Sequence, residues 1–436
     1  MDWHEKYRDK IVSMERAASL IRSGDVITSN FGGSIPYAFL DALADYSLTH
    51  LENVTLYLAG FYKETRIAQA RYNEHVKIRS SFLGPWERRA MAAGSDLSYQ
   101  AMHLSNITQD RREKHQARVL LASGSEPDEN GMISLGVAPF DPALLDVCET
   151  VIIQVNRKMP FVYGSDCLIP AERVSCLVLA DEALPEMNLP APTAEQRAIA
   201  GTIAEHVPDG ACVQFGIGGI AAAIGEALAV RHDLGCYSEM FTDPLMKLMQ
   251  AGVINNSRKN FCPGKTVFAN ALGSAALYAF MDHNPSLEAR PCAWLNDPRN
   301  IAQNDNMISV NGAVCADLTG QVCAESIGFR QFSGTGGQLD YVRGARWSRG
   351  GKSFLTIPAV HTDKDGARSS NIALTLPTGS VVTTPRADVH YIVTEYGAAD
   401  LLDEPLDVRA KRLIAIAHPD FRDRLLFEAK KAGYIL

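Results

Sequence analysis

The chain of 436 residues predicts an α/β protein of two similar open α/β domains with mainly parallel sheets. Three observations carry this expectation: short apolar strands alternate with helices, a glycine turn joins a strand to a helix, and the two halves share a weak repeat.

Taken in order, residues 4–22 place Ile11, Met14, Ala17, Ala18 and Ile21 at helical spacing, and Ser23-Gly24-Asp25 stops that expected helix. A strand at Val26–Ser29 and a turn at Asn30-Phe31-Gly32-Gly33-Ser34 follow. Pro36 then opens a helix through Leu40, Leu43 and Ala44. Val54–Leu58 reads as the next strand, with later strands at 119–121, 151–155 and Cys176–Leu179. The stretch DEALPEMNLPAPT at 181–193 has three prolines and little periodicity, which makes it the candidate linker. The expected division is therefore an N-terminal domain 1–182, a linker 183–193 and a C-terminal domain 194–436.

In the second half a helix at 194–205 leads into a strand at Cys212–Phe215, the turn Gly216-Ile217-Gly218-Gly219 and an alanine-rich helix. A second short strand, 235–238, is expected to end on Glu239. Aligning the halves places Gly33 on Gly218, Ile35 on Ile220, and Ala42-Leu43-Ala44 on Ala227-Leu228-Ala229. Tyr57 then falls opposite Tyr237, and Ala59 stands where the second copy has Glu239. If the copies share a fold, that fold does not require the carboxylate. Further on, Asn311 ends an apolar run at 307–310, SGTGGQ at 333–338 forms a second glycine loop, and 361–369 is a third polar turn. A helix at 408–417 is expected to be the last.

Composition bounds the function. Hydrophobic content of 46% and charged content of 21% are ordinary for a folded protein, and a net charge of -8 argues against nucleic acid as a partner. Nine cysteines without a C-x-x-C pair fit reduced thiols in the cytoplasm. No apolar run approaches the roughly 18 residues that span a bilayer, and the first ten residues have no signal-like apolar core. No His or Cys spacing suggests zinc, and no G-x-S-x-G elbow supplies a serine nucleophile.

What remains is a carboxylate beside backbone anion sites. Glycines let the chain approach a ligand closely, and the amides of a turn and an opening helix point at it. Glu239 would then be a nucleophile, although a solvated acid and a dinucleotide fold fit the same local spacing. The loop Ser333-Gly334-Thr335-Gly336-Gly337-Gln338 offers a second set of free N–H groups. Arg343, Arg346, Arg349, Lys352, Lys364 and Arg368 read either as phosphate contacts or as a solvated charged face. Glu325 and Glu395 are competing carboxylates beside apolar runs.

Several motifs in sequence order resemble the acetyl-CoA hydrolase/transferase family: GIGGI at 216–220, YSEMFTDPLMKLMQAGVINNSRK from Tyr237, ISVNGAVCADLTGQVCAESIG at 308–328, SGTGGQLDYVRGA at 333–345 and VVTTPRADVHYIVTEYGAADL at 381–401. GMISLGVAPFD at 131–141 and VIIQVNRKMPFVYG at 151–164 fit it in the first half. The resemblance implies CoA transfer between short carboxylic acids, with Glu239 becoming a glutamyl-CoA thioester. It assigns Asn311 and Gly337 to the acyl oxygen, and Gly216, Ile217, Gly218, Gly219 and Ile220 to a CoA-contacting loop. Ser333, Gly336 and Lys364 are the further expected CoA contacts. No tightly bound cofactor and no metal are implied, because coenzyme A enters as substrate and covalent intermediate; a homo-oligomer is expected. The alternatives are a thioesterase using the same intermediate and a non-catalytic CoA- or nucleotide-binding sensor. The chain departs from the pattern at Ala221, at Leu402-Asp403-Glu404-Pro405, and at Phe31 and Phe61, whose rings would narrow an acyl pocket if they line it.

Overall fold

In the computed structural model, which describes residues 2–29 and 31–436, the chain forms two units. Unit 1 comprises Met1–Asn188 and Val267–Leu295, and unit 2 comprises Leu189–Thr266 and Asn296–Leu436. Segment 267–295 thus belongs with the first unit, whereas the sequence reading put it in the second domain. Asn30, within the turn expected at 30–34, lies outside the described residues.

Unit 1 is built on seven strands: β1 (Val26–Ser29), β2 (Val54–Leu58), β3 (Val76–Ser80), β4 (Leu97–Tyr99), β5 (Val119–Gly124), β6 (Thr150–Val155) and β7 (Cys176–Leu179). All pair in parallel, in the order β4-β3-β2-β1-β5-β6-β7. The central β5 and β6 are buried along their whole length, which is why VLLASG and TVIIQV read as continuous rather than alternating strands. Helix α1 (Tyr37–His50) buries Tyr37, Phe39, Leu40, Leu43 and Ala44 in the core formed with these strands. Helix α2 (Pro85–Ala92) opens on its proline and buries Glu87.

The single helix expected at 4–22 is instead two short ones, Trp3–Lys6 and Met14–Ala18, each with its own cap, Asp2 and Ser13. Between them the backbone leaves the helix to bond the sheet: Val12 donates to the Leu177 carbonyl at 2.9 Å, and Leu177 donates back to Lys10 at 2.8 Å. Sheet pairing overrides helical periodicity there.

The main-sheet strands of unit 2 are β8 (Cys212–Phe215), β9 (Gly235–Phe241), β10 (Met307–Gly312), β11 (Lys352–Thr356), β12 (Tyr391–Thr394) and β13 (Gly397–Asp400). They run in the order β9-β8-β10-β11-β12-β13, parallel except for the edge strand β13. Helix α3 (Ala194–Ala204) starts on a capping box between Thr193 and Gln196, and α4 (Gly219–Leu228) follows β8. Then come α5 (Pro298–Ile301), α6 (Gln338–Trp347), α7 (Leu406–Ile416) and α8 (Pro419–Lys431). Helix α8 was not expected; His418 caps it and Pro419 occupies its first turn, so a sequence that looks like a stop is a restart. No described helix is long and apolar enough to cross a membrane.

The repeat is visible in the pairing. In unit 1, β1 lies between β2 and β5, with Val26 opposite Thr55; in unit 2, β8 lies between β9 and β10, with Cys212 opposite Gly235. The spacing from Thr55 to Gly235 also separates Tyr57 from Tyr237 and Ala59 from Glu239. Both β9 and β10 run past their expected ends, so Glu239 and Asn311 sit within strands rather than after them.

Candidate active site

The site is built at the carboxyl end of β8, β9 and β10, where ligands of open α/β sheets characteristically bind. Cys212 pairs with Gly235 on β9 and with Met307 on β10. Counting on from those pairs brings Gly216, Glu239 and Asn311 level, one row beyond the end of β8. In a parallel sheet, level residues direct their side chains to one face. Glu239 and Asn311 therefore flank a position that has no side chain. A Cβ placed at Gly216 would meet nothing within 4 Å, so the row contains a slot.

Glu239 is half-buried on β9. Its carboxylate accepts from the Asn296 side-chain amide at 2.6 Å (Nδ2 to Oε2) and from the Gly337 N–H. Burial pushes its pKa up, and the Asn296 and Gly337 hydrogen bonds oppose that shift in part. Gly337 is the N-cap of α6, so the carboxylate lies at the positive end of a helix. A Cβ at Gly337 would strike Glu239 Oε2 and Asn296 Nδ2, so a larger residue there displaces the carboxylate and its donor.

On the other wall, Asn311 donates from Nδ2 to Ser309 Oγ at 3.0 Å and exchanges two long contacts of 3.4 Å with Gln214. Contacts at 3.4 Å are weak and readily exchanged for a better acceptor. Ser309 in turn donates to Gln214 Oε1 at 2.9 Å, which holds the small amide network on one face of the sheet.

The glycine turn has a mixed origin. Gly218 has a φ of 97°, a left-handed conformation that favours glycine, and it caps α4 without any side-chain hydrogen bond. The first N–H groups of that helix are thus not capped by a side chain. Gly219 has a different reason, because a Cβ there would strike the Gln196 side chain. Ile217 is exposed and Ile220 half-buried.

Glu325, one of the competing acids, is an anchor for the second glycine loop. Its buried carboxylate accepts from Gln331 at 3.1 Å, Thr383 at 3.0 Å and Thr335 at 3.3 Å, and the Ser333 N–H bonds its carbonyl at 3.0 Å. Gly336, at a φ of 57°, then turns the chain into Gly337. Glu395 accepts from the Ala359 N–H at 2.9 Å. The structure thus joins Glu239 and Gly337 directly, sets Gly216 and Asn311 in their row, and places Ser333 and Gly336 in the loop leading to Gly337.

Lys364 stands apart, exposed between the strands Val360–Thr362 and Arg368–Ser370 of a hairpin. The other basic residues are largely committed: Arg343 to Asp388, Arg346 to Asp403, Arg349 to Asp305 and Arg368 to Asp420. Phe61 belongs to the core of unit 1, and its N–H donates to Glu87. Phe31 lines a cavity of about 30 Å³ with Ser29, Thr108 and Arg111. Among the described residues no group of three or more His, Cys, Asp or Glu is placed to hold a metal ion. Among the described residues none of the nine cysteines is in a disulfide, and eight are buried. Asn296 and Gln214 were missed by the sequence reading; Asn296 and Glu239 stand 57 positions apart, which hides a contact that only the fold makes.

Known proteins resemble this chain over its full length. The N-terminal domain model of the acetyl-CoA hydrolase/transferase family matches residues 1–187, and its C-terminal domain model matches 273–429. A 4-hydroxybutyrate coenzyme A transferase of Clostridium kluyveri is 37% identical over 435 residues, covering 99% of this chain and 100% of that protein. A succinyl-CoA:cyclohexane-1-carboxylate CoA transferase of Geobacter metallireducens is 37% identical over 441 residues, covering 99% and 98%. The crystal structure of RipA from Yersinia pestis superposes with a TM-score of 0.91 at 33% identity, covering 100% of both chains. Fold and relatives define the class as CoA-transferase enzymes of α/β architecture. Within that class, the chain belongs to the acetyl-CoA hydrolase/transferase family.

Proposed function

We propose that the protein moves CoA between short-chain carboxylic acids by a ping-pong mechanism through a glutamyl-CoA thioester on Glu239. The observation that carries this reading is the Glu239 carboxylate, held at a helix N-terminus by the Gly337 N–H and the Asn296 amide, beside the slot left by Gly216. A carboxylate is a competent nucleophile towards an activated thioester when it is positioned against it.

The Glu239 carboxylate attacks the acyl-CoA carbonyl, the C–S bond breaks, and CoA leaves as its thiolate from an acyl-glutamyl anhydride. The thiolate then attacks the glutamyl carbonyl and expels the acid as its carboxylate, leaving glutamyl-CoA. A second carboxylate reverses the two steps and departs as the new acyl-CoA. Asn311 and the Gly337 N–H are the donors for the oxyanions. Binding of the remote nucleotide and pantetheine portions of CoA drives the reacting centre together. Gly216 to Ile220, Ser333, Gly336 and Lys364 remain our assignment for those portions. The reading includes a cytoplasmic homo-oligomer, and CoA as substrate rather than resident cofactor.

Intact-mass measurement after adding acyl-CoA without an acceptor tests the mechanism. The wild type is expected to gain the mass of CoA less water, and Glu239→Ala to gain nothing. Absence of the adduct on the wild type overturns the covalent route. Release of free CoA at the same rate with and without added carboxylate identifies a hydrolase instead.

A further inference from the structure

We infer that Asn296 is a positioning residue for Glu239: its amide fixes one carboxylate oxygen so that the other faces the reacting acyl group. The inference rests on the proposed function and extends it to a residue outside every motif of the sequence.

Asn296 is fully buried. Its Nδ2 donates to Glu239 Oε2 at 2.6 Å, while its own Oδ1 has no hydrogen-bond partner. An apolar side chain of similar size would fill that space without stranding a buried carbonyl, so packing does not account for the amide. Its use is the donor it presents. The same oxygen, Oε2, also faces Gly337. The Asn296 donor fixes Oε2, which leaves Oε1 as the oxygen assigned to bond formation.

The two donors are mechanically linked. Asn296 directly precedes Asp297, whose side chain caps α5 by accepting from the Arg299 N–H at 2.9 Å. Ile301 of α5 lies so close to α6 that a Cβ at Gly344 would strike it. Gly337 caps the same α6. The distance between the two donors is therefore set by the packing of two helices rather than by a flexible loop. An amide also suits every state of the cycle, because Nδ2 can donate to a carboxylate oxygen, where the bond is stronger, and to the carbonyl oxygen of an anhydride or thioester.

The ionisation of Glu239 supplies the readout. It is set by burial, the Asn296 amide and the Gly337 N–H, with no charged side chain among its causes. The Asn296 bond lowers the pKa of Glu239, so its removal moves the acid limb of the kcat/KM profile to higher pH.

The test compares wild type, Asn296→Ala and Asn296→Ser over pH, with intact-mass analysis of each after acyl-CoA is added. Asn296→Ala is expected to lose at least about tenfold in kcat with KM for acyl-CoA changed less than about twofold. Its acid limb should move up, and Asn296→Ser, which keeps a donor, should recover part of both effects. A kcat within twofold of wild type, or an acid limb unmoved in both variants, overturns the inference while the wild-type adduct leaves the proposed function standing. No adduct on the wild type overturns both.

Discussion

Glu87 shows how far a single buried acid is felt. It is fully buried on α2, and burial pushes its pKa from an ordinary 4.5 up to about 7, against the lowering effect of backbone N–H groups that include that of Phe61. A raised folded-state pKa means that the native protein holds a proton the unfolded chain has released. Its stabilising contribution is complete below about 4.5 and is lost as pH rises to about 7. The loss amounts to about 3 kcal/mol at most. Glu87→Gln should remove that dependence: denaturant midpoints between pH 5 and 8 are expected to fall in the wild type relative to the variant. Parallel profiles would show that Glu87 is charged throughout. At this scale the sequence is uneven. Glu239 could be picked out because a glycine turn and an apolar strand stand beside it in the chain. Glu87 and Asn296 could not, since burial and a distant partner leave no mark on neighbouring residues.

At the scale of elements, the N-terminus of α6 concentrates the most function in the least sequence. Gly337 supplies the helix-end N–H, makes room for the carboxylate and follows a loop anchored on Glu325. Gly337→Ala keeps an allowed backbone, because its φ is −97°, but sets a methyl group against Glu239. We expect kcat to fall by about 10²-fold, the cost of moving the nucleophile out of line by about an ångström, while the thermal midpoint shifts by only a few degrees. Steady-state kinetics beside a melting curve checks this; a kcat within twofold of wild type refutes it. Strands were legible at Val26–Ser29, Val54–Leu58 and Cys212–Phe215, but not at Thr266–Ala271 or Tyr391–Thr394, although both are buried throughout. The errors arose where pairing, not pattern, decides the end. Glu239 and Asn311 are polar residues that look like terminators, yet their strands run on to Phe241 and Gly312. Residues 4–22 have helical spacing, but Lys10 and Val12 bond Leu177 instead.

At the scale of the molecule, the repeat was readable because two copies of one strand-turn-helix unit kept their spacing. The path of the chain was not. Segment 267–295 belongs to unit 1 although more than seventy residues of unit 2 precede it. It contributes Asn270, which donates to the Tyr62 hydroxyl, and Phe161 donates to Asp282 at 2.7 Å. A fragment ending at Asn188 lacks these partners. Expressed alone, 1–188 is expected to show no cooperative thermal transition by circular dichroism, whereas addition of a peptide covering 267–295 should restore one. A sharp transition in the fragment alone would show that unit 1 is complete without the returning segment. Local periodicity cannot reveal such a return, because the segment has the same alternating grammar as its surroundings.

The vacancy in the row at Gly216 has a consequence for how selectivity can drift over generations. A methyl group added there would meet no protein atom, so the fold would hardly register it, yet every atom added is space withdrawn from whatever reacts between Glu239 and Asn311. That boundary is drawn in main chain. Mutation can tighten it but cannot relax it, since nothing smaller than glycine exists. A lineage that changes the acid it accepts has to remodel some other surface, and this stretch of the chain acts as the fixed jaw of a gauge.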